Sequence, residues 1–306
     1  MGRKDLPVNQ VEAGFKAMKR YHSLLFLHIP KTAGTTLNYI IRQNYHASEI
    51  FALGENTQAS IREFVALDEA NRHKIRLLQG HMAYGLHSYM APPTTYFTIL
   101  RDPVERIISY YYFVRRISHH YLHDFVVDND LSLLEYLDSR QSIMMDNFQT
   151  RLVSGVWDRF PFGECPDDIL EQAKDNLRKH FAVVGLTEKF DETLLLLKTA
   201  FGWRNIYYTS QNVTSNRPAK DNLPEEALAA VLRANQLDVA LYAYAQQLFA
   251  EQIESLGPGF AASLAQFQAA NRYVSPLMRL YWQMRRVSIR AYGRQLTASL
   301  NRRSIE

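Results

Sequence analysis

One short segment near the start of the chain has the residue types that bind phosphate groups. It spans residues 28–36 and reads HIPKTAGTT, with a lysine as a mobile cation and three threonines as hydroxyl donors. Small residues that follow a buried strand let main-chain N–H groups turn towards an anion at the start of the next helix. The segment is not a Walker A motif, because Lys31 precedes the only glycine instead of following one. The candidate anion-binding residues are Lys31, Thr32, Ala33, Gly34, Thr35 and Thr36.

A second segment, residues 99–113, places an arginine and a serine where they can share one anion. Its sequence is ILRDPVERIISYYYF. Asp102 is suited to cap a helix whose first residue is Pro103. Arg101 then ends a strand and Ser109 lies about two turns into the helix. Both side chains can therefore reach one phosphate group.

A histidine follows another predicted strand. His81 ends the sequence Gln-Gly-His at residues 79–81, and an imidazole suits proton abstraction near neutral pH. His119 and His123 are four residues apart, as two zinc ligands on a helix can be, but no third ligand accompanies them. The sequence therefore predicts a general base at His81 and no metal site.

The elements that must position these residues alternate between strands and helices. Short apolar runs predict strands at residues 23–29, 75–79, 95–100 and 181–186, with a possible strand at 205–208. Helical spacing predicts helices after the first and third of these strands and at residues 167–180, 191–201, 224–234 and 237–255. This order predicts a single α/β, P-loop-like domain with a central parallel sheet flanked by helices. Ligands of such sheets bind beyond the carboxyl ends of the strands, where both anion-binding segments fall.

The two anion-binding segments resemble the nucleotide-binding motifs of sulfotransferases that use 3′-phosphoadenylyl sulfate (PAPS). Residues 28–37 are similar to that family's 5′-phosphosulfate loop. The resemblance implies that Lys31 contacts the bridging oxygen and the sulfate, while the threonines and the main chain hold the 5′-phosphate. Residues 99–113 are similar to the family's 3′-phosphate motif, which implies that Arg101 and Ser109 bind the 3′-phosphate. The likeness covers about residues 22–254.

Further segments place the chain nearest the heparan sulfate and uronyl 2-O-sulfotransferase branch of that family. Residues 147–152, 184–190 and 212–218 look like later blocks of the family, and the last of them gives Arg217 a role in the PAPS-binding loop. In that branch the segment at His81 is similar to His-Gly-His, whose second histidine is the proposed base. Gln79 replaces the first histidine here. The resemblance implies a base at His81, whereas this departure leaves the specificity for uronic acid open.

The resemblance implies an enzyme that moves a sulfuryl group from PAPS, its co-substrate, to an acceptor hydroxyl, that of a carbohydrate. The reaction would be an in-line displacement in which His81 takes the hydroxyl proton and Lys31 stabilises the leaving oxygen without a metal ion. The residues leave open a tyrosyl or small-molecule sulfotransferase, a P-loop kinase, and a non-catalytic nucleotide- or glycan-binding protein. The missing Walker pattern argues against the kinase, and the joint presence of Lys31 and His81 argues against the non-catalytic protein.

Charge is distributed unevenly on the two sides of Gly257. Residues 258–306 carry eight arginines and one acid, a charge of +7, whereas the whole chain is +4 and the remainder is therefore −3. A slightly acidic body argues against a nucleic-acid partner. Arginines alternate with apolar residues in the tail, which predicts a basic amphipathic helix. Such a helix can contact a membrane surface, a polyanionic glycan or a partner protein, or pack on the body.

We therefore expect three parts: an N-terminal extension at residues 1–21, a sulfotransferase domain at 22–257 and a basic helical tail at 258–306. The first 22 residues contain no apolar stretch of the kind that a signal peptide or membrane anchor needs. Cys165 is the only cysteine, so no disulfide can form within the chain. The sequence predicts a cytoplasmic protein, peripheral to a membrane if the tail binds one.

Overall fold

The computed structural model describes residues 21–209 and 220–276, and within these ranges five strands form one parallel sheet. The strands are β1 (Ser23–Leu27), β2 (Ile50–Ala52), β3 (Leu77–Gly80), β4 (Thr94–Leu100) and β5 (Phe181–Leu186), in the order β2-β3-β1-β4-β5. The helices are α1 (Gly34–Asn44), α2 (Thr57–Ala66), α3 (Glu69–Lys74), α4 (Pro103–Arg116), α5 (His123–Asp128), α6 (Leu133–Asp138), α7 (Phe148–Ser154), α8 (Asp168–His180), α9 (Phe190–Phe201), α10 (Glu225–Ala234) and α11 (Gln236–Ser255). A further helix, α12, includes residues 260–276. The predicted α/β class with a central parallel sheet is confirmed.

The middle of the sheet is covered on both faces. All five residues of β1 are buried, and successive side chains of a strand point to opposite faces, so helices must pack on each side. Leu27, the last residue of β1, lies opposite Gly80 in β3 and Thr98 in β4. The carboxyl ends of β1, β3 and β4 therefore meet at one edge of the sheet. The three predicted site segments follow these ends.

Helix α4 leaves this edge and builds a second core. The Asp102 side chain accepts a hydrogen bond from the main-chain N–H of Glu105 (3.0 Å), and Pro103 is the first helical residue. The predicted cap is therefore confirmed. Apolar side chains of α4 pack with α5, α6 and α10 in a cluster separate from the core of the sheet. Packing on this second core fixes the direction in which α4 projects from the end of β4.

In the number of strands, the structure differs from the prediction at two places. The prediction of a strand at residues 205–208 is wrong. Side-chain amides hold the main chain there: Asn44 Oδ1 accepts from the N–H groups of Arg204 and Asn205, and Asn271 Oδ1 accepts from that of Tyr208. Conversely, β2 is a strand that sequence reasoning missed, because three residues are too few to show a period.

The first part of the basic tail packs on the body. The helix before it ends at Ser255, and Gly257 adopts a φ of 78°, which turns the chain. Phe267 of α12 is buried and stacks on Tyr207, with 5.8 Å between ring centroids. Gln268 Nε2 donates to Asp191 Oδ2 at the start of α9 (3.1 Å). Residues 277–306, which hold most of the arginines of the tail, lie outside the described residues, and the three-part division stays a prediction.

None of the helices in the described ranges is long and apolar enough to cross a bilayer.

Candidate active site

The loop between β1 and α1 forms a concave stretch of main chain at the edge of the sheet. Lys31 and Ala33 both have left-handed backbone conformations, with φ of 72° and 63°. When left-handed residues alternate with residues of right-handed helical conformation, successive main-chain N–H groups point towards one place, where an anion can bind. Helix α1 begins directly afterwards at Gly34 without a side-chain cap, so the positive end of its dipole lies at the same point.

Position 34 has room only for a glycine, because the ring of His28 occupies the space that a Cβ atom would need. A Cβ atom at this position would lie 1.7 Å from Nε2 of His28. The His28 ring stacks on Phe26 with 5.2 Å between centroids and lies 4.4 Å from the ring of His81. Burial, followed by the charges of His81 and Lys31, holds the pKa of His28 well below its usual value. The ring is therefore neutral and fills the space between the loop and β3.

The threonines of the loop have different environments. Thr32 is fully buried, and its hydroxyl donates to the carbonyl oxygen of Ile29 (2.8 Å). It therefore stabilises the turn, which leaves its main-chain N–H as the group able to meet an anion. Thr35 is exposed and Thr36 is buried in the first turn of α1. The candidate loop residues are thus together, but their hydroxyls are not equivalent.

Lys31 connects the two predicted motifs. Its Nζ lies 4.1 Å from the centroid of the Phe113 ring on α4, a cation–π contact. Its carbonyl oxygen accepts a hydrogen bond from Nη1 of Arg101 (3.0 Å). The segment after β1 and the segment after β4 are therefore in direct contact, as the sequence motifs require.

One face of α4 lies along the site. The Arg101 guanidinium contacts Glu105 (Nη2 to Oε2, 3.2 Å), and Lys31 contacts Phe113 of the same helix. Ser109 is four residues after Glu105 and four before Phe113, so the three share a face. This half-buried serine thus lies between the positions where Arg101 and Lys31 meet the helix. The shared role of Arg101 and Ser109 in binding one phosphate stays a prediction.

His81 follows β3 on the other side of β1. Its Nδ1 lies 2.8 Å from the carbonyl oxygen of His28, so Nδ1 carries the proton and Nε2 keeps its lone pair. Burial lowers the pKa of His81, the hydrogen bond to His28 raises it, and the charge of Lys31 lowers it. The net shift is downwards. The ring is therefore neutral at physiological pH and able to accept a proton at Nε2.

The start of α4 is held by groups that sequence reasoning did not assign. The carboxylate of Glu188, in the segment after β5, accepts from the N–H of Asp102 (3.1 Å) and from the hydroxyl of Tyr242 (2.7 Å). Lys220 Nζ contacts Asp102 Oδ2 (3.0 Å). Glu188 belongs to the block at residues 184–190, but nothing in the sequence indicates its partners. Arg217, the candidate from the PAPS-binding loop, lies outside the described residues.

A further unassigned residue, Gln149, contacts the main chain of Arg101. Its side-chain oxygen accepts from the N–H of Arg101 (3.0 Å), and its amide nitrogen donates to the carbonyl of the same residue (2.9 Å). Gln149 lies in α7, where every residue is buried, polar ones included. The available signal in the sequence was the family-like block at residues 147–152, which contains Gln149.

The histidines at residues 119–123 make local contacts. His123 Nδ1 lies 2.9 Å from the carbonyl oxygen of Val114, and His120 Nδ1 accepts from the N–H of Leu122 (3.2 Å). Among the residues that the structure describes, no group of three or more His, Cys, Asp or Glu side chains could hold a metal ion.

Comparisons with known proteins agree with the motifs. The model of the galactose-3-O-sulfotransferase family matches residues 5–278. Mouse heparan sulfate 2-O-sulfotransferase 1 is 24% identical over 248 residues, which cover 70% of this chain and 66% of the mouse protein. The chicken protein of the same name is 25% identical with the same coverage, so the chain spans slightly less than two thirds of these relatives. Drosophila melanogaster heparin sulfate O-sulfotransferase is 26% identical over 258 residues, 74% of this chain and 71% of that protein.

Among solved structures, mouse sulfotransferase SULT7A1 complexed with PAP matches with a TM-score of 0.38 and 10% identity. That match covers 86% of this chain and 88% of the mouse chain.

Proposed function

Because the chain belongs to the galactose-3-O-sulfotransferase family, we propose that it transfers a sulfuryl group from PAPS to a carbohydrate hydroxyl. The observation that carries this proposal is the hydrogen bond between the Arg101 guanidinium and the Lys31 carbonyl. It joins the two segments that would hold the two ends of the donor, at the sheet edge where the candidate base also lies. Two separate anion sites in contact suit a nucleotide with phosphate groups at both its 5′ and 3′ positions.

The proposed donor site uses main-chain and cationic groups. The N–H groups of the loop and the start of α1 bind the 5′-phosphosulfate, with the Lys31 ammonium beside them. Arg101 and Ser109 bind the 3′-phosphate. To do so, the Arg101 guanidinium gives up its contact with the Glu105 carboxylate and contacts the phosphate instead. An arginine is suited to this exchange, because its planar guanidinium binds phosphate through two parallel hydrogen bonds.

In the proposed reaction the acceptor oxygen attacks the sulfur in line with the bond that breaks. A new S–O bond to the acceptor forms, the S–O bond to the 5′-phosphate breaks, and 3′-phosphoadenosine 5′-phosphate (PAP) leaves with that electron pair. The hydroxyl proton passes to Nε2 of His81, and the Lys31 ammonium stabilises the charge on the leaving oxygen. The Nδ1 hydrogen bond to His28 supports this role, because it keeps Nε2 unprotonated until the transfer.

The acceptor within the carbohydrates is the finer part of the proposal. The family name points to the 3-hydroxyl of galactose, and the relatives act, by their names, on heparan or heparin sulfate. Gln79, which replaces the first histidine of the 2-O branch motif, is buried within β3 beside Phe26. A buried amide in the sheet gives no contact to a uronic acid carboxylate. We therefore favour a galactose-containing acceptor.

Thermal unfolding with PAP, ADP and AMP tests the donor, and transfer of radioactive sulfate from PAPS tests the acceptor. A ligand at one hundred times its Kd adds about 2.7 kcal/mol of stability. We expect far greater stabilisation by PAP than by an equal concentration of ADP or AMP, and label on galactose-terminated glycans but not on uronic acid glycans, tyrosyl peptides or small phenols. Stabilisation by ADP equal to that by PAP would favour a kinase. PAP binding without transfer to any acceptor would favour a non-catalytic binding protein.

A further inference from the structure

The main chain of Arg101 lies just beyond the sheet and is held by a side chain instead of a strand. The last paired residues of β4 and β5 are Leu100 and Leu186, so Arg101 is one residue past the ladder. Buried peptide groups at such a place need other partners. The amide of Gln149 provides both, accepting from the N–H at 3.0 Å and donating to the carbonyl at 2.9 Å. It replaces the peptide group of a missing neighbouring strand.

Gln149 itself is held firmly. Its side chain is fully buried, and its own N–H donates to Asp238 Oδ2 of α11 (3.1 Å). The other carboxylate oxygen of Asp238 accepts from the N–H and the hydroxyl of Thr150, both at 2.8 Å. A buried carboxylate that accepts three hydrogen bonds from the first turn of α7 fixes this helix relative to α11. The amide of Gln149 therefore has little freedom to follow Arg101 if that residue moves.

We propose that Gln149 is a positioning residue for the 3′-phosphate site, acting through the main chain of Arg101. The inference rests on the proposed function, in which Arg101 binds that phosphate. The guanidinium must reach both the Lys31 carbonyl and the phosphate, and its reach is set by where the peptide of Arg101 lies. Loss of both amide hydrogen bonds lets that peptide move. Nucleotide binding must then order the peptide, which makes the free energy of binding less favourable.

The chain offers a matched control. Gln252 of α11 also makes two hydrogen bonds from its side-chain amide to the main chain, in this case to β5. Its Oε1 accepts from the N–H of Val184 (3.3 Å), and its Nε2 donates to the carbonyl of Ala182 (3.2 Å). These residues belong to the strand itself and not to the segment that carries a site residue. Gln149→Met and Gln252→Met therefore each remove two side-chain to main-chain hydrogen bonds with little change in volume. The pair lost in Gln149→Met lies at Arg101, and the pair lost in Gln252→Met lies away from it.

The readout is the affinity for PAP relative to that for AMP, which lacks only the 3′-phosphate, measured by calorimetry on the full chain. Both variants should lower the Tm by a few degrees. Gln149→Met should weaken PAP binding about tenfold and leave AMP binding unchanged, so that the PAP/AMP ratio falls about tenfold. With PAPS, KM should rise and kcat should stay. Gln252→Met should keep the wild-type ratio.

A double-mutant cycle separates action through Arg101 from a general loss of structure. In an Arg101→Ala background, Gln149→Met should have no further effect on PAP affinity, because the group it positions is gone. An unchanged PAP/AMP ratio in Gln149→Met, an equal fall in Gln252→Met, or an additive loss in the double variant would each overturn the inference. Wild-type protein that does not prefer PAP to AMP would instead overturn the proposed function, so the two failures can be told apart.

Discussion

Adding one methyl group at Gly34 is expected to destabilise the fold and the nucleotide site together. A Cβ there would lie 1.7, 2.3 and 2.4 Å from three atoms of the His28 ring. The ring cannot move aside freely, because it is stacked on Phe26 and lies against His81. Either the ring or the start of α1 must therefore shift, and a shift of α1 moves the N–H groups that would bind the 5′-phosphosulfate.

The magnitude follows from the severity of the clash. Overpacking of a core costs about 1–3 kcal/mol, and contact with three ring atoms places Gly34→Ala near the upper end, at about 3 kcal/mol. For a domain of this size each kcal/mol lowers the Tm by about 2–4 °C, which gives a fall of about 6–12 °C. Thermal unfolding followed by circular dichroism measures this change, and a titration with PAP measures the accompanying loss of affinity.

Removal of the ring provides the control. In a His28→Ala background the new methyl group meets no imidazole, and alanine is favoured over glycine in a helix by up to about 1 kcal/mol. The double variant should therefore be at least as stable as His28→Ala alone, a coupling of about 3 kcal/mol by the figures above. A wild-type Tm for Gly34→Ala, or an undiminished loss in the His28→Ala background, would refute the steric argument.

Three other results are expected. His81→Ala should keep PAP binding and lower kcat by about 10²–10⁴-fold, and full activity in this variant would mean that another group is the base. Phe113→Leu removes the ring beneath the Lys31 ammonium, a contact worth about 0.5–2 kcal/mol, so kcat/KM should fall by about two- to thirtyfold with little change in Tm; an unchanged kcat/KM would contradict a role for this contact. Burial lowers the pKa of both His28 and His81 below the usual 6.5. As the pH falls, the unfolded chain therefore binds protons at these histidines before the folded chain does. The free energy of unfolding should be constant above pH 6.5 and fall below it. Urea unfolding between pH 7.5 and 5 measures this slope, which should be shallower in His28→Ala; equal slopes in the two proteins would show that His28 is not responsible.

The elements of the sheet were predictable because their signals are local. Continuous apolar runs of five to seven residues gave β1, β4 and β5 within two residues of their observed bounds. Asp102 followed by Pro103 gave the start of α4, because a cap and the first helical turn depend on neighbours in sequence. Locality also explains the error at residues 205–208, where the partners that hold the chain, Asn44 and Asn271, are far away in sequence.

The sequence by itself determined the fold class and the family, and it supplied the residue types of the candidate site. Two motifs, each after an apolar run, were enough to place Lys31 and Arg101 at strand ends, since parallel strands end at one edge. The tertiary structure decided which groups touch: the guanidinium of Arg101 on the Lys31 carbonyl, the His28 ring against Gly34, and the Gln149 amide on the main chain of Arg101. These contacts join residues 6 to 70 positions apart in sequence, and their geometry depends on strand register and helix packing. A pattern of residue types carries no distances, so only the folded chain fixes them.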